Sequence, residues 1–134
     1  MHTNRGITLI ELCLAVVIMA VLASIAYPSY VQFVLRSHRV EATEALLALA
    51  SRQELYFSEQ RRYSDSLADL GLNESLTPSG RYQLSVQVLA EGMGFLLQAD
   101  AQGLQSQDTA CAAFSVNHLG QRNTVVSYPE QCWR

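Results

Sequence analysis

Lysine is absent from this chain of 134 residues, and all nine basic side chains are arginines. Charge of either sign is sparse, at 16% of residues, and the formal net charge is -3. That balance excludes a nucleic-acid binder held by a general positive field. Only three histidines occur (His2, His38 and His118), and none stands at ligand spacing from a cysteine, so no metal site is indicated. No glycine-rich phosphate loop precedes a helix, and Ser85, Ser115 and His118 compose no nucleophile motif. Capping and solvation explain the helical spacing of Asp65 and Asp69 better than a catalytic carboxylate pair does. Neither an enzyme nor a cofactor follows from these residues. The length holds one domain rather than two, and 49% hydrophobic residues make the chain too apolar to be disordered.

What the chain does have is apolar surface concentrated near its N-terminus. After the polar stretch Met1-His2-Thr3-Asn4-Arg5-Gly6, residues 7–26 hold a single charge, Glu11. As a helix this run spans about 30 Å, the hydrocarbon core of a bilayer. Arg5 on the short flank favours keeping that side in the cytoplasm, with the long remainder translocated. A secretory signal peptide is the competing reading, since Ala23-Ser24-Ile25-Ala26 imitates its cleavage site. Glu11 argues against it: a carboxylate at mid-membrane costs about 2.5–3.5 kcal/mol on insertion scales and usually marks function. Cys13 lies in the same run and reads as a small buried hydrophobe. Cys111 and Cys132 enclose 20 residues. In an exported head they pair as a disulfide contributing roughly 3 kcal/mol, whereas in the cytosol they stay reduced.

Gly6-Ile7-Thr8-Leu9-Ile10-Glu11 resembles the processing motif of type IV pilins and the related pseudopilins. The resemblance implies that a prepilin peptidase cuts between Gly6 and Ile7 and methylates the new amino terminus of Ile7. Ile7 stands where the family most often has phenylalanine. Loss of Arg5 then leaves eight basic against twelve acidic side chains, a balance of -4. The resemblance also gives Glu11 a role: it meets the Ile7 amino group of a neighbouring subunit and sets axial register. A buried carboxylate needs such a partner, and register is the best-attested use of buried polar pairs. The competing reading of Glu11 is a side chain that snorkels to the interface.

Beyond the apolar run, Pro28 is expected to kink the helix, and Tyr27 and Tyr30 suit an interfacial belt. The helix then continues to about Phe57. Ala42, Leu46, Leu49, Gln53 and Tyr56 recur at spacings of four and three and form one face, which must be buried against the rest of the chain. Residues 58–80 read as a polar connection, with a short turn capped near Ser64 or Asp65 and stopped by Gly71. Tyr82, Leu84, Val86 and Val88 alternate with polar residues as a half-buried strand, and Phe95, Leu97, Ala99 and Ala101 answer them across a loop at 91–94. A third strand is expected at 112–116 with Phe114 and Val116 inward, and a fourth at 124–128. The fold class is therefore α+β: a helix over about 7–57 packed on a small antiparallel sheet of three to four strands.

The head also resembles the family, through residues 42–56, Arg62-Tyr63, Leu67-Ala68-Asp69-Leu70-Gly71-Leu72, Gly103-Leu104-Gln105, Asp108, Cys111, Gly120 and Cys132-Trp133. It is most similar to minor pilins of the PilE type and to the related ComP group of DNA-uptake pilins. This implies a leader at 1–6, a transmembrane and polymerisation helix at 7–27, and a periplasmic or extracellular head at 28–134. It further implies a structural subunit of type IV pili, serving twitching motility or adhesion. Its partners would be other major and minor pilins, the prepilin peptidase and the inner-membrane assembly platform. Two alternatives stay open: a pseudopilin of type II secretion, and a DNA receptor whose contacts are Arg61 and Arg62 beside Tyr63. Arg36, His38 and Arg39 would meet headgroups or neighbouring subunits. Asp100, Gln105 and Asp108 supply oxygens but match no calcium-loop spacing.

Overall fold

The apolar run folds as helix α1 (Leu9–Ser37), and a turn at His38 separates it from α2 (Arg39–Gln60). Three strands follow, β1 (Tyr82–Leu89), β2 (Gly94–Ala101) and β3 (Ala113–Asn117). They form one antiparallel sheet in the order β1-β2-β3. The computed structural model describes residues 6–126 and 128–133. The expected leader, apart from Gly6, lies outside the described residues, as does Ser127 of the expected fourth strand. By compactness the chain divides into two units, with the boundary between Val34 and Leu35.

The second unit owes its core to the periodicities of α2 and the strands. Ala42, Leu46, Leu49 and Gln53 are the buried residues of α2, and Tyr56 packs at the edge of the same face. The sheet meets them with Tyr82, Leu84, Phe95, Leu97, Ala99, Phe114 and Val116, all buried. Gln53 is polar within this face, yet both ends of its amide are matched. Its Nε2 donates to the Ser64 carbonyl at 2.6 Å and its Oε1 accepts from the Ser64 N–H at 3.0 Å. Helix α2 is thus packed on a three-stranded antiparallel sheet.

Three details depart from the sequence expectation. Helix α2 ends three residues later than expected, at Gln60, because Arg61 takes the left-handed conformation (φ 59°) and caps it, donating its N–H to the Phe57 carbonyl. The turn after it is capped by two serines: the expected Ser64, whose Oγ accepts from the Ser66 N–H at 3.0 Å, and Ser66, whose Oγ accepts from the Asp69 N–H. No fourth strand forms among the described residues of 124–128. Asn123, at φ 52°, turns the chain out of the sheet, and its Oδ1 accepts from the Ser115 N–H and the Trp133 indole N–H. The Ser115 bond, with that from the Asn123 N–H to the Ser115 carbonyl at 2.8 Å, occupies the outer edge of β3, where another strand would have paired.

Candidate functional site

The motif at the start of α1 is held locally by its own threonine. The Thr8 Oγ1 accepts from the Glu11 N–H at 3.3 Å, while the Thr8 carbonyl accepts from the Leu12 N–H at 3.1 Å. Thr8 is therefore the N-cap and Glu11 the third helical residue, the spacing of a capping box. That signal, Thr-x-x-Glu before an apolar run, is local and stands in the sequence itself. It starts the helix at Leu9 and leaves the Glu11 side chain exposed. An acidic group in the first turn also suits the positive end of the helix dipole.

Every described residue from Gly6 to Tyr30 is exposed in the isolated chain, with Leu9 at 81% and Ile25 at 68%. Helix α1 is long and apolar enough to cross a membrane, with none of its most apolar window buried. Such a surface needs lipid or other chains around it. Cys13 is free and exposed on it rather than buried. Pro28 lies inside α1, whose helical assignment continues through it; the interruption comes at His38.

At that interruption the head builds a polar clamp that the sequence did not reveal. The 3-10 turn Gly103–Gln107 brings Gln105 and Asp108 against the start of α2. Gln105 donates from Nε2 to the Leu35 carbonyl at 3.0 Å, so its Oε1 faces His38 Nδ1, also at 3.0 Å. A carbonyl oxygen only accepts, which places a proton on His38 Nδ1. Arg39 forks onto Asp108, with Nε to Oδ2 at 2.7 Å and Nη2 to Oδ1 at 2.8 Å. The Asp108 side chain is 1% exposed. Next to it, the buried Tyr82 hydroxyl is pushed up to about 12, first by burial and then by the Asp108 charge. Gln105 lies close enough to ease that shift, although the hydroxyl has no partner at hydrogen-bond geometry.

His38 and Arg39 are thus engaged within the head, in place of the headgroup or subunit contacts expected for them, and Arg36 alone of that trio stays exposed. Asp108 and Gln105 are likewise committed, and the Asp100 Oδ1 accepts from Gln98 Nε2 at 2.8 Å. Asp100, Gln105 and Asp108 thus serve separate internal bonds. Cys111 and Cys132 are joined, with Cα atoms 5.7 Å apart, and the Cys111 N–H donates to the Asp108 carbonyl. The disulfide therefore anchors the C-terminal segment three residues beyond the clamp.

Arg61 and Arg62 are both exposed at the end of α2. Arg62 lines a groove of about 260 Å³ with Tyr63, Asp65, Asp69, Val88 and Glu91. Tyr63 stacks near Phe57 and edge-on to Phe95, its hydroxyl donating to Glu54 at 3.0 Å. Burial, and then that carboxylate, raise the Tyr63 hydroxyl pKa. The basic pair thus stands among carboxylates rather than in a basic strip.

An apolar N-terminal helix with a threonine cap and a lone glutamate, continued into a disulfide-closed α+β head, defines the class of type IV pilins. A family model described as the type IV minor pilin ComP, DNA uptake sequence receptor, matches residues 28–115. A second, the prokaryotic N-terminal methylation motif, matches residues 1–27. The chain belongs to the type IV pilin family, in its ComP group. It is 47% identical over 68 residues to the type IV major pilin protein PilA of Myxococcus xanthus, an alignment covering 51% of this chain and 31% of that protein. The chain thus spans under a third of that relative's length. It is 31% identical over 115 residues to the fimbrial protein EcpC of Eikenella corrodens, covering 81% of this chain and 74% of that one. The solved structure of a type IV pilin from Shewanella oneidensis superposes with a TM-score of 0.56 at 27% identity, covering 75% of this chain and 98% of that one.

Proposed function

We propose that this pilin is a minor subunit that helps initiate or build type IV pili. In this reading a peptidase cuts between Gly6 and Ile7, Ile7 is N-methylated, and residues 7–27 hold the subunit in the inner membrane with the head, 28–134, outside the cytoplasm. The assembly platform then moves the subunit into the filament among other pilins. The observation that carries it is the exposed apolar surface of α1 up to Tyr30, with one carboxylate, Glu11, at its start. In a low-dielectric bundle that carboxylate needs a cation, and the free amino group of a neighbour's Ile7 supplies one. Glu11→Ala should leave cleavage intact and remove the subunit from sheared pili; wild-type levels of the variant there would refute the register role.

A second reading is favoured by the match to the ComP family model, whose description names a DNA uptake sequence receptor. Here the head binds incoming DNA through Arg61 and Arg62. Against it, the head carries eight arginines and eleven carboxylate side chains, and Asp65 and Glu91 line the same groove as Arg62. DNA binding by a head lacking residues 1–34, measured at two salt concentrations, decides it: steep salt dependence supports the receptor, and negligible binding at both removes it. Deleting the gene and scoring pili, uptake of DNA and secreted enzymes together separates both readings from a type II secretion pseudopilin.

A further inference from the structure

One edge of the sheet carries backbone groups with no strand beside them. In β1 the groups that face β2 alternate with groups that face outward. Tyr82 and Leu84 face outward and are matched there: the Tyr82 carbonyl accepts from the Thr77 N–H at 2.9 Å, and the Leu84 N–H donates to the Ser75 carbonyl. The same period turns the N–H and C=O of Val86 and Val88 to this edge. The short bridge at Leu76 and Gln83 ends before them, and among the described residues no strand pairs with β1 on that side. Open edges are ordinarily guarded by lysine, proline or a bulge. Here the stretch reads Val86-Gln87-Val88, uncharged and in unbroken register with β2.

The groove of about 260 Å³ is lined by Val88 of this edge, together with residues 62–65 and 69. It is stabilised where the Tyr63 N–H donates to the Gly92 carbonyl at 2.9 Å. Its ionisable lining is Asp65, Asp69 and Glu91 against Arg62. The Ser64 hydroxyl already donates to Asp69 Oδ2 at 2.9 Å, so Asp65 and Glu91 supply the uncommitted negative charge.

We propose that β1 at Val86–Val88 accepts an extended polypeptide segment of a partner protein as an added strand, and that the groove takes one lysine or arginine side chain of that segment. The unmatched edge groups call for a backbone with alternating N–H and C=O, which a polypeptide offers and a nucleic acid does not. The acidic lining selects a basic side chain and repels phosphate. The partner's remaining side chains alternate to the outer face of the sheet, where Gln83, Ser85 and Gln87 offer uncharged contacts.

The head, 35–134, holds its own core and disulfide, so the test uses it directly. The probe is a labelled hexapeptide alternating valine and threonine around a central arginine, followed by fluorescence anisotropy. Saturable binding is expected. Replacing the arginine by glutamate, or N-methylating the edge-facing amides, should each weaken it at least about tenfold. Val88→Pro removes an outward N–H and should do the same while keeping the unfolding midpoint; if that variant misfolds, the N-methylated peptide decides alone. Equal affinity for the arginine and glutamate peptides overturns the proposal, as does no binding by a folded head. Self-association of the head that Val88→Pro abolishes assigns the edge to a second copy instead, and also overturns it.

Discussion

Asp108 has almost no contact with water, and its charge is answered by the single guanidinium of Arg39. Breaking such a pair from one side leaves a buried charge, so Arg39→Ala should destabilise the head by about 3–5 kcal/mol, read from denaturant unfolding. Gln105 and Asp108 sit in a segment without hydrophobic period, and their partners lie 67 to 70 positions away. No local spacing announces a clamp of that kind. The Thr8 cap, by contrast, was plain in the sequence, because capping acts over three residues. Tyr82 gives the clamp a pH signature. Its hydroxyl is raised from 10.0 to about 12 in the fold, so the neutral form is favoured there. That contribution is intact below pH ~10 and lost as pH rises through about 12. Unfolding midpoints of the head should therefore fall across this window, and Tyr82→Phe should flatten the fall; an unchanged slope would contradict the assignment.

Among elements, α2 was the most legible, because burial of one helical face imposes a period that few other structures share. Ala42, Leu46, Leu49 and Gln53 were expected on that face and are buried there. Leu46→Ala, in a fully buried site, should cost about 2–5 kcal/mol of head stability by the same unfolding measurement. The three strands were legible for the parallel reason, a period of two with β-branched and aromatic residues inward. The expected fourth strand shows where this reasoning stops. Thr124, Val125 and Val126 have the composition of a strand, but Asn123 had already taken both backbone groups of Ser115 on the edge they needed. Strand formation depends on a free partner, and composition does not report one. The disulfide acts at this scale too. Reducing Cys111–Cys132 frees a loop separated by 21 positions and should lower stability by about 2–4 kcal/mol, read as a shift of the denaturant midpoint on adding a reductant.

At the scale of the whole molecule the two units answer to different solvents. The head buries its own core, whereas the exposed leucines, valines and isoleucines of α1 are left uncovered by the described residues. The head alone should stay soluble and monomeric at micromolar concentration, while the full chain should require detergent or lipid; sedimentation of both checks this. The uncovered helix has an energetic corollary for the proposed filament. Hydrocarbon tails and the flanks of neighbouring apolar helices accommodate leucine about equally well, so passing from bilayer to fibre releases little hydrophobic free energy. The two reservoirs lie near balance. Close packing and the Glu11 charge would then bias the exchange only slightly, and net growth or shrinkage would be set by whatever machine does work on the subunits. A polymer poised in this way would be dismantled as readily as it is built, and its subunits would return to the membrane with the head still folded.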